Sequence, residues 1–153
     1  MTLGAPRIED KPAMEIAGLS AHFDSADNHS IPDLWRRFAP YIGRVAGQIG
    51  HASYGVMYID DAGEMAYLSG IEVAEGIALP SGFVQLRVPE GRYAVFLYSG
   101  HVSAIRAAWN QILDEWLPAS GYGMPRGPSL ERYDERFDAA SASGEIELWL
   151  PLS

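Results

Sequence analysis

One glutamate in the last third of the chain has neighbours that suit the recognition of an organic cation. It lies in the segment Leu130–Asp134, which we interpret as a strand near the middle of a sheet. Side chains alternate along a strand, so Glu131 and Tyr133 share one face while Arg132 points to the other. A buried carboxylate among aromatic rings is the kind of site that binds an organic cation. The alternative interpretation is an exposed glutamate paired with Arg132 or Arg136.

Aromatic residues elsewhere in the chain are candidates for the walls of such a pocket. They lie in predicted strands and helices, and they are Tyr54, Trp109 and Tyr133, followed by Trp35, Tyr58 and Phe96. For Tyr58, Phe96 and Trp116, packing in the core is the competing interpretation. Burial among these rings would raise the pKa of Glu131, because the ionised form loses its hydration, and a bound cation would restore that form.

The sequence has no pattern typical of a metal site or of nucleophilic catalysis. Its four histidines show neither His-x-x-x-His nor His-x-His spacing, so no metal site is predicted. Asp60, Asp61 and Glu64 suit a solvated hairpin better than a calcium site. The chain has no cysteine nucleophile, no Gly-x-Ser-x-Gly elbow and no phosphate-binding glycine loop. We therefore expect neither a metal nor a cofactor.

The composition is that of a folded protein with an acidic surface. The 153 residues suffice for one domain, or for two small fused halves, and 48% of them are hydrophobic. The formal net charge of -9 argues against binding to a nucleic-acid backbone and favours attraction of cations. The start of the chain does not resemble a signal peptide, and no apolar stretch is long enough to span a membrane. We therefore expect a cytoplasmic protein.

The first predicted elements are a strand and a helix. The strand covers residues 6–24, and a polar loop follows it up to Ser30, whose side chain suits a helix N-cap. The helix that follows carries Trp35 beside its apolar stripe. It should kink or break at Pro40, which lacks a backbone N–H and crowds the preceding turn.

The other predicted elements continue the same alternation of strands and helices. The remaining strands are expected at residues 54–59, 65–75, 82–98 with an interruption at Pro89-Glu90-Gly91, 130–134 and 145–150. A second helix opens at Gly100 and carries Trp109 on its apolar stripe. Leu117-Pro118 should close it, because the residue before a proline disfavours the helical conformation.

The order of the elements is repeated within the chain. Strand, helix, strand, strand occurs twice, and a shift of about 77 residues relates two halves at roughly 6–76 and 82–152. Two βαββ modules can form one antiparallel sheet with both helices on one face, which is an α+β fold with a ligand groove between the helices. The same shift places Tyr54 on Glu131, so we expect these two side chains to face each other across the groove.

Several segments resemble one known family through their order and spacing. They are Tyr54-Gly55-Val56, Leu79-Pro80-Ser81-Gly82, Pro89 to Phe96, the helix from Gly100 through Trp109 and Trp116, Leu117 to Tyr122, Leu130 to Asp134, and Glu145 to Pro151. Together they cover roughly residues 5–152. The chain is similar to the GyrI-like small-molecule-binding domain, which is also called the AraC-type effector-binding domain.

The resemblance implies two βαββ modules around a central pocket for bulky, hydrophobic and often cationic compounds. It aligns Glu131 with the glutamate of the family's Glu-x-Tyr motif, which supplies negative charge at the pocket floor. In transcription regulators this domain follows a DNA-binding helix-turn-helix. We see no such segment here, so we expect a stand-alone member with one domain over residues 1–153. The related SOUL haem-binding proteins share the fold, but no motif here indicates haem.

Three functions agree with these residues and this resemblance. The leading one is a module that binds hydrophobic, cationic drugs or effectors, either to sequester or to sense them. The second is a hydrolase of reactive cyclopropane-containing compounds, as in one branch of the family, with Glu131 as general base. The third is an interaction protein that inhibits DNA gyrase. The expected partners are thus a small-molecule cation and either a regulator or gyrase, without nucleic acid or membrane, for a monomer or a homodimer.

Overall fold

The structure is a computed structural model that describes residues 3–22, 30–123 and 125–152. The polar loop predicted for residues 24–29 and the side chain of Ser30, the predicted N-cap, lie outside the described residues. Every residue predicted to line a pocket lies inside them.

The described chain forms eight strands and three short helices. The strands are β1 (Arg7–Lys11), β2 (Met14–His22), β3 (Gln48–Ile59), β4 (Met65–Val73), β5 (Val84–Val88), β6 (Gly91–His101), β7 (Ser129–Asp138) and β8 (Ser143–Pro151). The helices are α1 (Ser30–Phe38), α2 (Ile105–Gln111) and α3 (Leu117–Ser120), with 3₁₀ turns at Ala39–Tyr41 and Val102–Ala104 and a π-helical turn at Ile112–Trp116. None of the helices described is both long and apolar enough to cross a lipid bilayer.

All eight strands belong to one antiparallel sheet with the order β1-β6-β8-β7-β3-β4-β2-β5. In chain order, β1 to β4 correspond to β5 to β8. When each strand is replaced by its counterpart, the sheet order is simply reversed. A pseudo-twofold axis therefore passes between β3 and β7. The predicted α+β fold with one antiparallel sheet and two main helices is confirmed. Each half has one strand more than predicted. In the first half the expected strand is broken at Pro12, which has no N–H for the ladder.

Short links between distant strands require the sheet to curl. β1 is first in the sheet order and β2 is seventh, yet only Pro12 and Ala13 separate them in the chain. In a flat sheet these strands would lie about 29 Å apart, whereas three Cα steps reach at most about 11 Å. Pro89 and Glu90 make the equivalent link from β5 to β6. The curl encloses one face of the sheet and leaves the other face to the helices.

The two faces of the sheet carry different hydrophobic cores. The core on the enclosed face consists of Met14, Ile16, Ala52, Tyr54, Val56, Leu68, Val88, Tyr93, Val95, Leu130 and Trp149. On the outer face, α1 contributes Phe38 to a cluster with Ile71. The second helix contributes Trp109 and Ile112 to another cluster, with Leu148. Which face a strand residue points to therefore decides whether it can meet a helix.

The helices start and end partly where the sequence predicts. α1 ends at Phe38, and Pro40 lies in the 3₁₀ turn that follows, so the predicted break at Pro40 is confirmed. Gly100 does not open the second helix. It still belongs to β6, and α2 begins at Ile105 after a 3₁₀ turn.

The second helix continues past the proline that was expected to close it. The Leu117 N–H donates to the Ile112 carbonyl across the π-helical turn Ile112–Trp116, and helical structure then runs on to Ser120. The wider turn accommodates Pro118, which has no N–H to donate. Gly121, with a left-handed φ of 85°, ends the helix instead.

A close approach between β2 and β4 provides a test of this packing. Gly18 pairs directly with Gly70, and a Cβ added at Gly18 would lie 1.9 Å from the Ser69 carbonyl oxygen. Because that oxygen belongs to the backbone, we expect Gly18→Ala to lower the free energy of unfolding by more than about 2 kcal/mol. Gly91→Ala is the matched control, since its Cβ meets nothing within 4 Å. Urea denaturation measures both, and equal losses would contradict the close approach.

Candidate functional site

Glu131 lies at the centre of the sheet, as predicted. Its strand, β7, is the fourth of the eight and lies between β8 and β3. Glu131 pairs directly with Leu148 on β8 and with Gly55 on β3. Its side chain is 4% exposed and points to the face that the helices cover. The carboxylate is therefore shut away from solvent at the seam between the two halves.

Three aromatic side chains donate hydrogen bonds to this carboxylate. The Tyr67 hydroxyl donates to Oε1 over 2.7 Å, and the Tyr133 hydroxyl donates to the same oxygen over 2.9 Å. The Trp109 indole N–H donates to Oε2 over 2.9 Å. We call Glu131, Tyr67, Tyr133 and Trp109 the Glu131 cluster. Its donors come from β4, β7 and α2, so it joins the centre of the sheet to the second helix.

A glycine leaves the space in which this cluster forms. Gly55 pairs with Glu131 on one side and with Ser69 on the other. A Cβ added at Gly55 would lie 1.9 Å from the Tyr67 hydroxyl oxygen and 2.8 Å from Glu131 Oε1. Any side chain at this position would thus push Tyr67 away from the carboxylate. A glycine within an apolar strand often marks such a close approach.

Trp35 covers the cluster from α1. Its indole N–H donates to the Tyr67 hydroxyl oxygen over 3.1 Å. Its ring stands edge-on to the ring of Tyr133, with centroids 5.2 Å apart. Trp35 and Tyr133 are half-buried, whereas Tyr67 and Trp109 are buried. The pair of Trp35 and Tyr133 is therefore the part of the site nearest to solvent.

Burial and hydrogen bonding act on the Glu131 carboxyl in opposite directions. Loss of hydration is the dominant effect, and it raises the pKa of Glu131 above its ordinary value. The hydrogen bonds from Tyr67, Trp109 and Tyr133 lower this pKa without reversing the shift. The pKa values of Tyr67 and Tyr133 are raised well above normal, first by burial and then by the Glu131 charge. Both hydroxyls therefore keep their protons and remain donors.

Tyr54 and Tyr58 lie on the opposite face from Glu131, so the expectation that Tyr54 faces Glu131 across the groove is wrong. Tyr54 pairs with Arg132, and the residue directly across the pseudo-twofold axis from Glu131 is Gly55. Residues paired directly across such an axis share a face, so the shift in these central strands is an even number of residues and not 77. A slip of one residue moves a side chain to the other face. Both tyrosines pack in or against the enclosed core.

Phe96 shares the face of Glu131 but lies two strands away, on β6. It is buried, and its ring stands edge-on to Trp116 with centroids 5.1 Å apart. It therefore packs in the core beneath the second helix, which is the alternative that the sequence left open. Of the other candidates, the structure brings Trp35, Trp109 and Tyr133 together around Glu131.

Tyr67 is the member of the cluster that the sequence patterns did not indicate. Its strand, β4, alternates weakly, because residues 66–71 are all buried. Periodicity therefore gives no sign of which face Tyr67 occupies. The pairing of Met57 with Tyr67 places it on the Glu131 face, and that pairing depends on the register of the β3–β4 hairpin.

Among the cavities that the described residues form, two open away from this cluster. One, of about 620 Å³, is lined by residues that include Lys11, Arg92 and Tyr122. The other, of about 590 Å³, is lined by residues that include Tyr58 and Leu86. Neither is lined by a member of the Glu131 cluster.

The described chain is a duplicated, curled sheet that holds an acid among aromatic donors. The model of the GyrI-like small molecule binding domain matches residues 4–153, and the chain belongs to this family. The resemblance drawn from the sequence motifs is thus confirmed.

Known relatives and a solved structure agree with this assignment. The transcriptional regulator BrlR of Pseudomonas aeruginosa is 33% identical over 148 residues, which cover 95% of this chain and 54% of BrlR. The chain therefore spans about half the length of BrlR. A DNA gyrase inhibitor of Erwinia billingiae is 36% identical over 97 residues, covering 60% of this chain and 61% of the inhibitor. The structure of SAV2435 bound to tetraphenylphosphonium shares the fold, with a TM-score of 0.75 at 16% identity over 100% of this chain and 94% of SAV2435.

Removing one hydroxyl tests the balance that sets the pKa of Glu131. Tyr67→Phe deletes a donor that stabilises the ionised carboxylate, so we expect the pKa of Glu131 to rise further. It also removes the acceptor of the Trp35 N–H, and the free energy of unfolding should fall by about 1–3 kcal/mol. Carbon-13 NMR titration of the glutamate carboxyls follows the pKa. Tyr58→Phe, on the opposite face, is the control, and an unchanged pKa in Tyr67→Phe would contradict the network.

Proposed function

We propose that this domain binds bulky, hydrophobic organic cations, with Glu131 as the opposite charge and with Trp35, Trp109 and Tyr133 as aromatic contacts. One observation carries the proposal: a carboxylate that is 4% exposed is held at the centre of the sheet by three aromatic donors. Membership of a small-molecule-binding family supports it. So does the shared fold of SAV2435, a protein solved with a lipophilic cation.

The chemistry of the cluster suits an organic cation better than a metal ion. Metal ions need several deprotonated ligands, whereas the groups bonded to Glu131 are O–H and N–H donors. A large cation whose charge is delocalised needs only an opposite charge nearby and aromatic ring faces in contact with it. Each ring face contributes about 0.5–2 kcal/mol when desolvated. The formal net charge of -9 also attracts cations to the protein.

Binding at Glu131 requires the rings above it to move. Trp35 is half-buried, and the described contacts that hold it over the site are one hydrogen bond to Tyr67 and ring contacts with Phe38, Tyr67 and Tyr133. Breaking that hydrogen bond costs about 0.5–1.5 kcal/mol. Removing 100 Å² of apolar ligand surface from water contributes about 2.5 kcal/mol. We therefore propose that rotation of Trp35 opens the way to the carboxylate and that a modest apolar contact offsets its cost.

The same geometry favours binding over hydrolysis. A general base must accept a proton from a water molecule within hydrogen-bond reach, and the oxygens of this carboxylate already accept three hydrogen bonds from protein donors. Product beyond one equivalent from a reactive cyclopropane-containing compound would establish the hydrolase instead. A role against DNA gyrase, suggested by the name of the Erwinia billingiae relative, would appear as inhibition of supercoiling by the pure protein.

Neutralising the carboxylate tests the proposed counter-charge. Glu131→Gln keeps the side-chain size and removes the charge, so we expect tetraphenylphosphonium to bind at least about tenfold more weakly. Tryptophan fluorescence titration measures the affinity. Glu72→Gln is the matched control, because Glu72 is a half-buried carboxyl with a pKa raised by burial, paired with Ile16 on the enclosed face. Wild-type affinity in Glu131→Gln would refute the proposal.

The raised pKa of Glu131 makes binding depend on pH. A cation favours the ionised carboxylate, so protonation and binding compete. Affinity for tetraphenylphosphonium should be constant above the pKa of Glu131 and should fall about tenfold for each pH unit below it. Calorimetry over a pH series measures this, since the ligand itself does not titrate. A wild-type affinity that stays constant while the Glu131 carboxyl titrates would contradict the mechanism.

A further inference from the structure

A second cluster of chemically active side chains lies beside the turn of the β3–β4 hairpin. His22 Nε2 lies 3.2 Å from Asp60 Oδ2 and 3.2 Å from Glu64 Oε2. One ligand atom from each residue lies within 4.8 Å of the other two. His22 ends β2, while Asp60 and Glu64 flank the hairpin turn, so pairing of β2 with β4 brings them together.

A single proton on His22 Nε2 would have to be shared between two carboxylate oxygens. An imidazole Nε2 carries at most one hydrogen, which points toward one acceptor. Here two carboxylate oxygens lie at the same 3.2 Å distance from that nitrogen. In a tetrahedral zinc site, with bonds of about 2.0–2.2 Å, neighbouring ligand atoms are about 3.3 Å apart. Both separations from the nitrogen match that spacing.

We propose that His22, Asp60 and Glu64 bind a divalent transition metal ion, with zinc as the representative case. One neutral imidazole and two carboxylates supply three ligands and leave a coordination position open. The imidazole nitrogen favours zinc and its neighbours over calcium and magnesium. The other oxygen of Asp60, Oδ1, accepts backbone N–H groups of Ala62 and Glu64 over 3.0 and 2.9 Å, and Oδ2 lies toward His22.

The proposed metal site is separate from the Glu131 cluster. His22 and Asp60 also line the cavity of about 590 Å³, together with Tyr58 and Leu86, which pack against the enclosed core. Glu131 points to the other face of the sheet. A metal ion here would join the end of β2 to the hairpin and would stabilise the folded state by mass action. Its occupancy should therefore leave the affinity of the Glu131 site unchanged.

Calorimetric titration of the full chain with zinc chloride, after treatment with a chelator, tests the site. We expect one zinc ion per chain and a thermal unfolding midpoint that rises with zinc concentration. His22→Ala and Glu64→Gln should each weaken binding at least about tenfold. His51→Ala is the matched control, because His51 is an exposed histidine on β3 outside this cluster. Cobalt gives a second readout, as its visible absorption in a tetrahedral site should disappear in His22→Ala.

Three results would overturn the proposal. One is the absence of zinc binding at millimolar concentration. Another is equal zinc affinity in wild type and His22→Ala, which would mark the bound ion as adventitious. The third is tighter binding of calcium than of zinc, which would exclude a role for the imidazole nitrogen.

Discussion

The burial of the Glu131 carboxylate away from water is the constraint that governs the arrangement at the centre of the sheet. Burying an ionised carboxylate costs several kcal/mol unless it is paired and hydrogen-bonded. The described partners of Glu131 are three neutral donors, Tyr67, Tyr133 and Trp109. Neutral donors satisfy the oxygen lone pairs but leave the charge in place. The site therefore favours either a proton or a positively charged guest, and the raised pKa and the proposed cation binding are two consequences of this one condition.

The pseudo-twofold axis explains why this duplicated fold has one buried glutamate at its centre instead of two. Directly across the axis, Glu131 pairs with Gly55 and Tyr133 pairs with Ser53. One half thus supplies the charge and two of its donors, Tyr133 and Trp109. The other half supplies the empty space at Gly55 into which the Tyr67 hydroxyl reaches. Two equivalent glutamates on this axis would repel each other in a low-dielectric interior, so the difference between the halves is itself part of the site.

Sequence patterns predicted the local elements and much of the site, but not the register. The strand of Glu131 and the helix of Trp109 follow from alternation and helical spacing, and the fold class follows from their repeated order. The face of Tyr54 was misassigned because a repeat shift wrong by one residue reverses every side chain. Tyr67 and the triad of His22, Asp60 and Glu64 depend on strand pairing across the sheet. Such pairing is fixed by tertiary packing and leaves no local signal.

A crystal structure of the protein with tetraphenylphosphonium is the most direct test of the central claim. We expect the cation to lie against the Glu131 carboxylate, between the rings of Trp109 and Tyr133, with Trp35 rotated away from the Tyr67 hydroxyl. The contradicting result would be a cation bound in the cavity lined by Tyr58 and Leu86, with the hydrogen bond from Trp35 to Tyr67 still intact.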